Sequence, residues 1–220
     1  MLGPHATIAH AVHLRDADVD LLAETGTAVA HNPSSNARLA VGIAPLRRLA
    51  AHGVTVGIGN DDMAPGDDED LWSVVRLAHI LQRIGDQRDP PLGAADVLGM
   101  AWDGGARIAG LDGQAGRIEP GRHGDLALLD LDGLRGVYAD PSLPLAELLL
   151  GRAARTLVRT VVVGGRVVVD EGRVAGIDRE ALAGETAEAA AVASRSDPAY
   201  RELVERLRPW ILRWGSDPAA

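Results

Sequence analysis

The chain has no cysteine and no phenylalanine among its 220 residues, and aromatic side chains make up only 3% of it. Without thiols there is no disulfide, no thiolate nucleophile and no cysteine-ligated zinc, so any metal must be held by histidine and carboxylate. Basic charge is also scarce. The 22 Lys and Arg residues face 31 Asp and Glu, a formal charge of −9. A nucleic-acid backbone needs a basic face, so nucleic acid is not an expected partner and a small neutral or cationic ligand suits the chain better. No apolar run approaches the roughly 20 residues of a membrane span, and the opening residues lack the basic and apolar regions of a secretion signal. The expectation is a cytoplasmic protein without a membrane partner. The missing phenylalanine, beside abundant Ala, Gly and Arg, reads as coding bias and carries no functional meaning.

What is present is enough to build a core: 46% of residues are hydrophobic, which suits one ordinary domain with or without a small appendage. The first 60 or so residues repeat a short apolar run that ends in a polar residue and leads into a helical segment. Ala6 to Ala9 stops at His10 and precedes a helix over Asp16 to Glu24. Ala28 to Ala30 stops at His31, passes through a loop over Asn32 to Asn36, and reaches a helix from about Ile43, with Pro45 in its first turn and Gly53 closing it. Val54 to Gly59 stops at Asn60-Asp61-Asp62, before a helix that begins near Asp68 to Asp70 and continues to Leu81. This alternation predicts an α/β fold with a parallel sheet, and polar residues at the strand ends suggest the edge of a (β/α) barrel. A closed barrel takes about 250 residues and eight units. Only three units are legible, so either the barrel is incomplete or the fold is something else.

Farther on, helices are expected over Ala94 to Ala101 and Gly105 to Leu111. From about Gly116 the texture turns to short strands and Gly-rich turns: Arg117 to Gly121, Asp125 to Asp130, and a hairpin of Thr160 to Val163 with Arg166 to Val169 about Gly164-Gly165. Val174 can add an edge strand. Helices over Arg179 to Ala193 and Pro198 to Trp214 close the chain as surface helices.

In a barrel, functional side chains sit at the C-terminal ends of strands, where His10, His31 and Asp61 fall in consecutive units. Histidine and aspartate suit a divalent ion that makes hydroxide available near neutral pH, and a carboxylate there can also take the proton from water. His31 reads equally as a hydrogen-bonded loop anchor. Asp61, beside Asp62, reads equally as part of a solvated cap cluster running to Asp70. His13 reads as structural, and His5, His52, His79 and His123 as solvated or capping side chains.

Several segments bear a resemblance. His31-Asn32-Pro33-Ser34-Ser35-Asn36, Arg38-Leu39, Gly42-Ile43-Ala44-Pro45 and Gly53 through Asp61 resemble the seventh and eighth barrel strands of deaminase-type amidohydrolases, such as the hydroxyatrazine, S-adenosylhomocysteine, 8-oxoguanine and guanine deaminases. Ala9 through Leu14 resembles their sixth strand. Gly104-Gly105-Ala106-Arg107, Gly116 through Arg122, Gly124 through Ala127 and Val162 through Val168 resemble the region leading through their β-sandwich. The resemblance covers nearly all of the chain to about Ile177 and keeps the family order.

It implies the C-terminal part of a TIM-like barrel, about strands six to eight, over residues 1–115. Part of a small β-sandwich follows over 116–177, then a helical extension over 178–220. It implies that Asp61 ligates the metal and exchanges a proton with the hydrolytic water, and that His10 contacts that water or the tetrahedral intermediate. His31, Ser35 and Asn36 match the loop that shapes the substrate pocket. The implied activity is hydrolytic deamination of a nitrogen heterocycle, a purine or triazine, with one divalent ion, zinc or alternatively iron. One departure is Asn60-Asp61-Asp62 where the family has Thr-Asp-Gly, which adds charge and removes glycine's backbone freedom. A larger one is that the family's first-strand His-x-His pair and its fifth-strand His and Glu have no counterpart here. Asp61 is the one ligand position matched, too few to retain zinc. The expectation is therefore an N-terminally truncated hydrolase, inactive alone, that forms a homo-oligomer or associates with a missing N-terminal half. The alternative is a degenerate half-barrel or a split-enzyme subunit that acts through association, since exposed strand edges call for a partner.

Overall fold

A computed structural model describes residues 1–61, 70–85, 87–193 and 198–214. The chain forms two compact units, Met1–Gly172 and Arg173–Ala220. Asp62, and the expected helix start at Asp68, lie outside the described residues. No helix among the described residues is long and apolar enough to cross a membrane.

The first unit opens with the expected alternation. Strand β1 (Thr7–Ala9) leads to α1 (Asp16–Thr25), β2 (Ala28–His31) to α2 (Pro33–Arg38) and α3 (Leu46–Ala51), and these to β3 (Val56–Ile58). The strands form a parallel sheet in the order β1-β2-β3, with Ile8 opposite Val29 and Val29 opposite Val56. Helix α1 turns Val19 and Leu22 inward and stops at Gly26, whose φ of 70° is left-handed and which carries no Cβ to resist it. The core joins Val19, Leu22, Val29, Leu46, Leu49 and Val56 in one cluster.

Two local expectations change here. The segment after His31 is helical rather than a loop, because Pro33 occupies the start of α2, where a missing N–H costs nothing. Helix α3 begins at Leu46 rather than near Ile43, because Pro45 disfavours helical backbone at Ala44 and itself becomes the N-cap residue.

Helix α4 (Leu71–Leu81) is capped by Asp70, which accepts from Trp72 N at 3.1 Å, and it buries Val74, Val75 and Ala78. The two helices expected after Leu92 are joined: α5 (Ala94–Gly99) runs through a π-helical turn (Met100–Gly104) into α6 (Gly105–Ile108). The turn brings Gly104 against β3 so closely that a Cβ there would run into the carbonyl oxygen of Val56, whereas a Cβ on Gly105 meets nothing within 4 Å.

The rest of the unit is an antiparallel sheet of β4 (Leu126–Leu129), β5 (Val158–Val163) and β6 (Arg166–Asp170). Gly164 and Gly165, both at positive φ (55° and 77°), form the hairpin turn expected of them. The strand expected over Arg117 to Gly121 is absent. Arg117 there bonds the carboxylate of Asp103 at 2.7 Å, and Gly121 turns the chain at a φ of 89°. Two short helices, α7 (Leu131–Arg135) and α8 (Leu145–Arg152), stand between β4 and β5 where strand texture was expected. Arg76 of α4 donates to Leu150 O and Ala153 O at 2.9 and 2.7 Å, tying α8 to the helices around the parallel sheet.

The second unit contains β7 (Arg173–Val174), α9 (Arg179–Ala193) and α10 (Pro198–Trp214), with the two helices at the bounds read from sequence.

The Gly104 contact yields a paired test. Gly104→Ala forces the helix off β3 and is expected to destabilise the chain by about 1–3 kcal/mol, the usual cost of overpacking. Gly105→Ala, in open space, is expected to be neutral or stabilising by up to about 1 kcal/mol through helix propensity. Urea midpoints of the two variants check this, and equal effects would refute the close-approach reading.

Candidate active site

The strand ends carry unusual backbone. Non-glycine residues at positive φ among the described residues are His10 (69°), Ala11 (52°), Ala40 (54°), Asp61 (65°) and Glu171 (47°); His10 and Ala11 follow β1, and Asp61 lies three residues past the end of β3. Left-handed backbone at such residues is held against a steric penalty and persists where the surroundings over-determine it. Here the chain reversal follows strands that are tied laterally: His10 N donates to Ala30 O at 2.9 Å and Gly59 N to His31 O at 3.0 Å.

As a result His10 and Asp61, on strands separated by β2, converge. His10 Nε2 lies 3.7 Å from Asp61 Oδ2, with the two side chains 38% and 34% exposed. On its other side His10 Nδ1 lies 2.9 Å from Asn36 Oδ1. An amide oxygen only accepts, so Nδ1 is the nitrogen that donates to Asn36 and Nε2 the one that faces Asp61. In the protonated ring Nε2 presents a proton to the carboxylate; in the neutral one the two are acceptors around the same space, a place for a proton, a water or a cation.

Beneath the pair is a buried polar layer. His31, Ser35 and Asn36 are at most 2% exposed. Burial, and secondarily the charge of His10, pushes the His31 imidazole down to about 4, so it is neutral at pH 7. His31 Nδ1, Ser35 Oγ, Asn36 Nδ2 and Asn60 Oδ1 are buried without hydrogen-bond partners. Buried polar atoms are normally satisfied, so their grouping in one layer marks a place where something other than packing is being served. Sequence reading missed Asn32. It is buried beside Gly59, and a Cβ on Gly59 would meet its Oδ1 at 2.6 Å, so the Asn-Pro at the end of β2 and the last glycine of β3 form one tight joint. The signal was the Asn-Pro pair itself, read only as a turn.

Of the other histidines, His5 and His13 are exposed. His52 bonds Arg48 O at 2.9 Å at the end of α3, and His123 stands 4.0 Å from Asp125. None joins the site. Among the described residues no group of three or more His, Cys, Asp or Glu side chains could hold a metal ion, so His10 and Asp61 are two donors where a bound ion needs more. A cavity of about 810 Å³ lies at the entry end of β3, lined by Arg47, Val54, Val56, Met100 and Gly104, and so at the far end of the strand from Asp61.

Known proteins share this arrangement of chain. The model of the amidohydrolase family matches residues 1–168. Over 175 residues the chain is 40% identical to a 5-methylthioadenosine/S-adenosylhomocysteine deaminase of Natronomonas pharaonis, covering 80% of this chain and 39% of that protein. It is 40% identical over 183 residues to an 8-oxoguanine deaminase of Pseudomonas aeruginosa, covering 82% and 39%. Among solved structures, an adenosine deaminase from Xanthomonas campestris with bound zinc has a TM-score of 0.80 and 31% identity, over 85% of this chain and 42% of that one. The chain therefore spans about two fifths of the length of the relatives it matches. Matched by the family's model over residues 1–168 and 40% identical to curated relatives over about four fifths of its length, it belongs to the amidohydrolase family.

Proposed function

We propose that this chain carries one sector, about barrel strands six to eight, of a metal-dependent hydrolase that removes an amino group from a nitrogen heterocycle such as a purine or triazine. The observation that carries the reading is the convergence of His10 Nε2 and Asp61 Oδ2 over a buried polar floor. Hydrolytic deamination adds water oxygen to a ring carbon and expels ammonia. Asp61 is the group that takes the water's proton and delivers it to the leaving nitrogen. His10, its Nδ1 proton held by Asn36, offers Nε2 to the added oxygen once that carries hydrogen. Asn36 is a positioning residue, and His31 and Ser35, wholly buried, shape the floor rather than reach the ring. Zinc, or iron in its place, belongs to the complete donor set; two donors do not make that site, and no step is assigned to the ion here.

The donor count favours a second statement. Alone, the chain neither retains metal nor turns over substrate, and its activity requires the remaining donors, brought by another polypeptide segment. A degenerate half-barrel that works only through association is the competing reading.

Zinc analysis and ammonia release separate these. The purified chain is expected to hold well under one zinc and to release no ammonia from adenosine-like or guanine-like substrates. Co-expression with the N-terminal three fifths of a deaminase relative is expected to restore release, and Asp61→Asn in the pair to reduce it by about 100-fold or more. Stoichiometric zinc and turnover in the chain alone would overturn the donor-count argument. Restored metal binding without turnover would favour the degenerate reading.

The buried imidazole gives a pH test. His31 is neutral in the folded chain down to about 4, whereas an unfolded histidine takes its proton near 6.5. Its contribution is whole above pH 6.5, falls by about 1.4 kcal/mol per unit as pH drops towards 4, and is exhausted below. Denaturation of wild type and His31→Leu between pH 7 and 4.5 should show the steeper loss in wild type. Parallel curves would mean that His31 is not the buried base described.

A further inference from the structure

Arginine does not shed its charge inside a protein, so a buried guanidinium calls for a partner of opposite sign. Arg47, on α3, is 7% exposed and has none. Its Nε donates to Gln82 Oε1 at 2.8 Å and its Nη1 to the backbone oxygen of Asp89 at 3.1 Å, both neutral. Among the described residues Nη2 donates to nothing and no carboxylate pairs with the group. The fork is held still, because Gln82 is 2% exposed and is itself bonded to Leu92 O and Leu92 N at 3.2 and 3.3 Å. Arg47 lines the cavity of about 810 Å³ at the entry end of β3, a size that suits a small ligand. Arg107, on α6, lines it too, and among the described residues its side chain bonds to nothing. Of the three carboxylates on the walls, Asp103 is taken by Arg117 at 2.7 Å and Asp96 accepts from Gly93 N at 2.9 Å, which leaves Asp112 as the one that nothing among the described residues engages.

We propose that this cavity is a binding site for a small oxyanion, a phosphate or carboxylate group that Arg47 meets with Nη2 and that Arg107 holds from the α6 wall. Guanidinium forks match the oxygens of both groups in shape as well as in charge. The chain's formal −9 opposes an anion at long range, but a Debye length of about 8 Å confines that effect, and donors in contact decide the affinity. Preorganisation adds to it, since Arg47 is already fixed by Gln82 and loses little freedom on binding. The cavity lies at the far end of β3 from Asp61, so an oxyanion bound there is not the substrate of the His10–Asp61 pair. The inference is independent of the deaminase reading: anion binding by a chain without any deaminase activity would leave it intact.

Calorimetric titration of the full chain with inorganic phosphate and with succinate, at constant ionic strength, tests it. One equivalent is expected to bind with a Kd of about 1 mM or tighter. Arg47→Gln and Arg107→Gln are each expected to weaken binding by about tenfold or more, and Asp112→Asn to strengthen it. A further variant keeps both arginines. Gly99 lines the cavity, is helical at a φ of −59°, and a Cβ on it meets nothing within 4 Å, so Gly99→Leu fills the space and is expected to abolish binding without lowering the urea midpoint. If Arg47→Gln fails to fold, Arg107→Gln and Gly99→Leu decide. Saturation by phosphate alone or by succinate alone supports the proposal and tells which group the site takes. No saturable binding of either probe overturns it. So does binding that survives Gly99→Leu, or binding that Asp61→Asn abolishes, which places the anion at the other end of the sheet.

Discussion

Lateral ties between three short parallel strands decide where everything else can go. Val29 N bonds Thr55 O, His10 N bonds Ala30 O and Gly59 N bonds His31 O, at 2.8, 2.9 and 3.0 Å, so the sheet is pinned near its beginning and again at its end. Because side chains alternate along a strand, a slip of one residue would turn the row of Ile8, Val29 and Val56 away from its place in the core. The hydrophobic effect thus enforces the register, which pairs Ala9 with Ala30 and His31 with Ile58, so that His10 and Asp61 both leave the sheet at the same end. Helices α1 and α3 support the same row, and Gly104 lets the π-turn approach β3 to backbone contact, so the carboxyl end of β3 is held by packing at its opposite end.

Legibility in the sequence followed the physics of each element. The strand and helix alternation to Leu81 was readable because period-two and period-3.6 patterns there agree with the turn residues that separate them. Of the two helices of the second unit, α10 was readable for a similar reason, with amphipathic spacing from Pro198, and α9 through its run of Ala and Glu, which are strong helix formers. Helix α2 was not readable, since Pro33-Ser34-Ser35-Asn36 has turn composition, and its helical form goes with Pro33 at the first turn and with the burial of Ser35 and Asn36. Helices α7 and α8 were lost among Gly and Pro of strand-like texture. Only tertiary support from Leu134 and Leu148, in a small cluster beside Trp72, makes them worth forming. For the site, residue types marked His10 and Asp61, but nothing in the sequence could disclose that Asn36 orients His10, because that contact depends on the depth to which α2 is buried.

The same burial gives the candidate site its energetic character. Left-handed backbone at His10, Ala11 and Asp61, and unbonded polar atoms on His31, Ser35, Asn36 and Asn60, are each unfavourable alone. They gather at one end of one sheet, beside a core of Val, Leu and Ile, although Arg48 Nε and Asp89 Oδ2 are likewise unbonded elsewhere. An apolar residue of similar size at position 31 would remove one of these unbonded atoms and leave those of Ser35, Asn36 and Asn60.

It also matters what does not hold the pair together. His10 and Asp61 are 3.7 Å apart and each about one-third exposed, so water screens their attraction and an ion pair of that kind contributes little. Their placement must then come from elsewhere: from backbone fixed at positive φ by the strand ladder, and from Asn36, held in a helix with no room to shift. A geometry independent of the pair's own attraction survives when one partner changes protonation or takes up a ligand. Affinity for a cation rises with the number of donors and with how little each must be reorganised. Among the described residues the number is lacking but the organisation is present, so any further donor would meet two groups already in place.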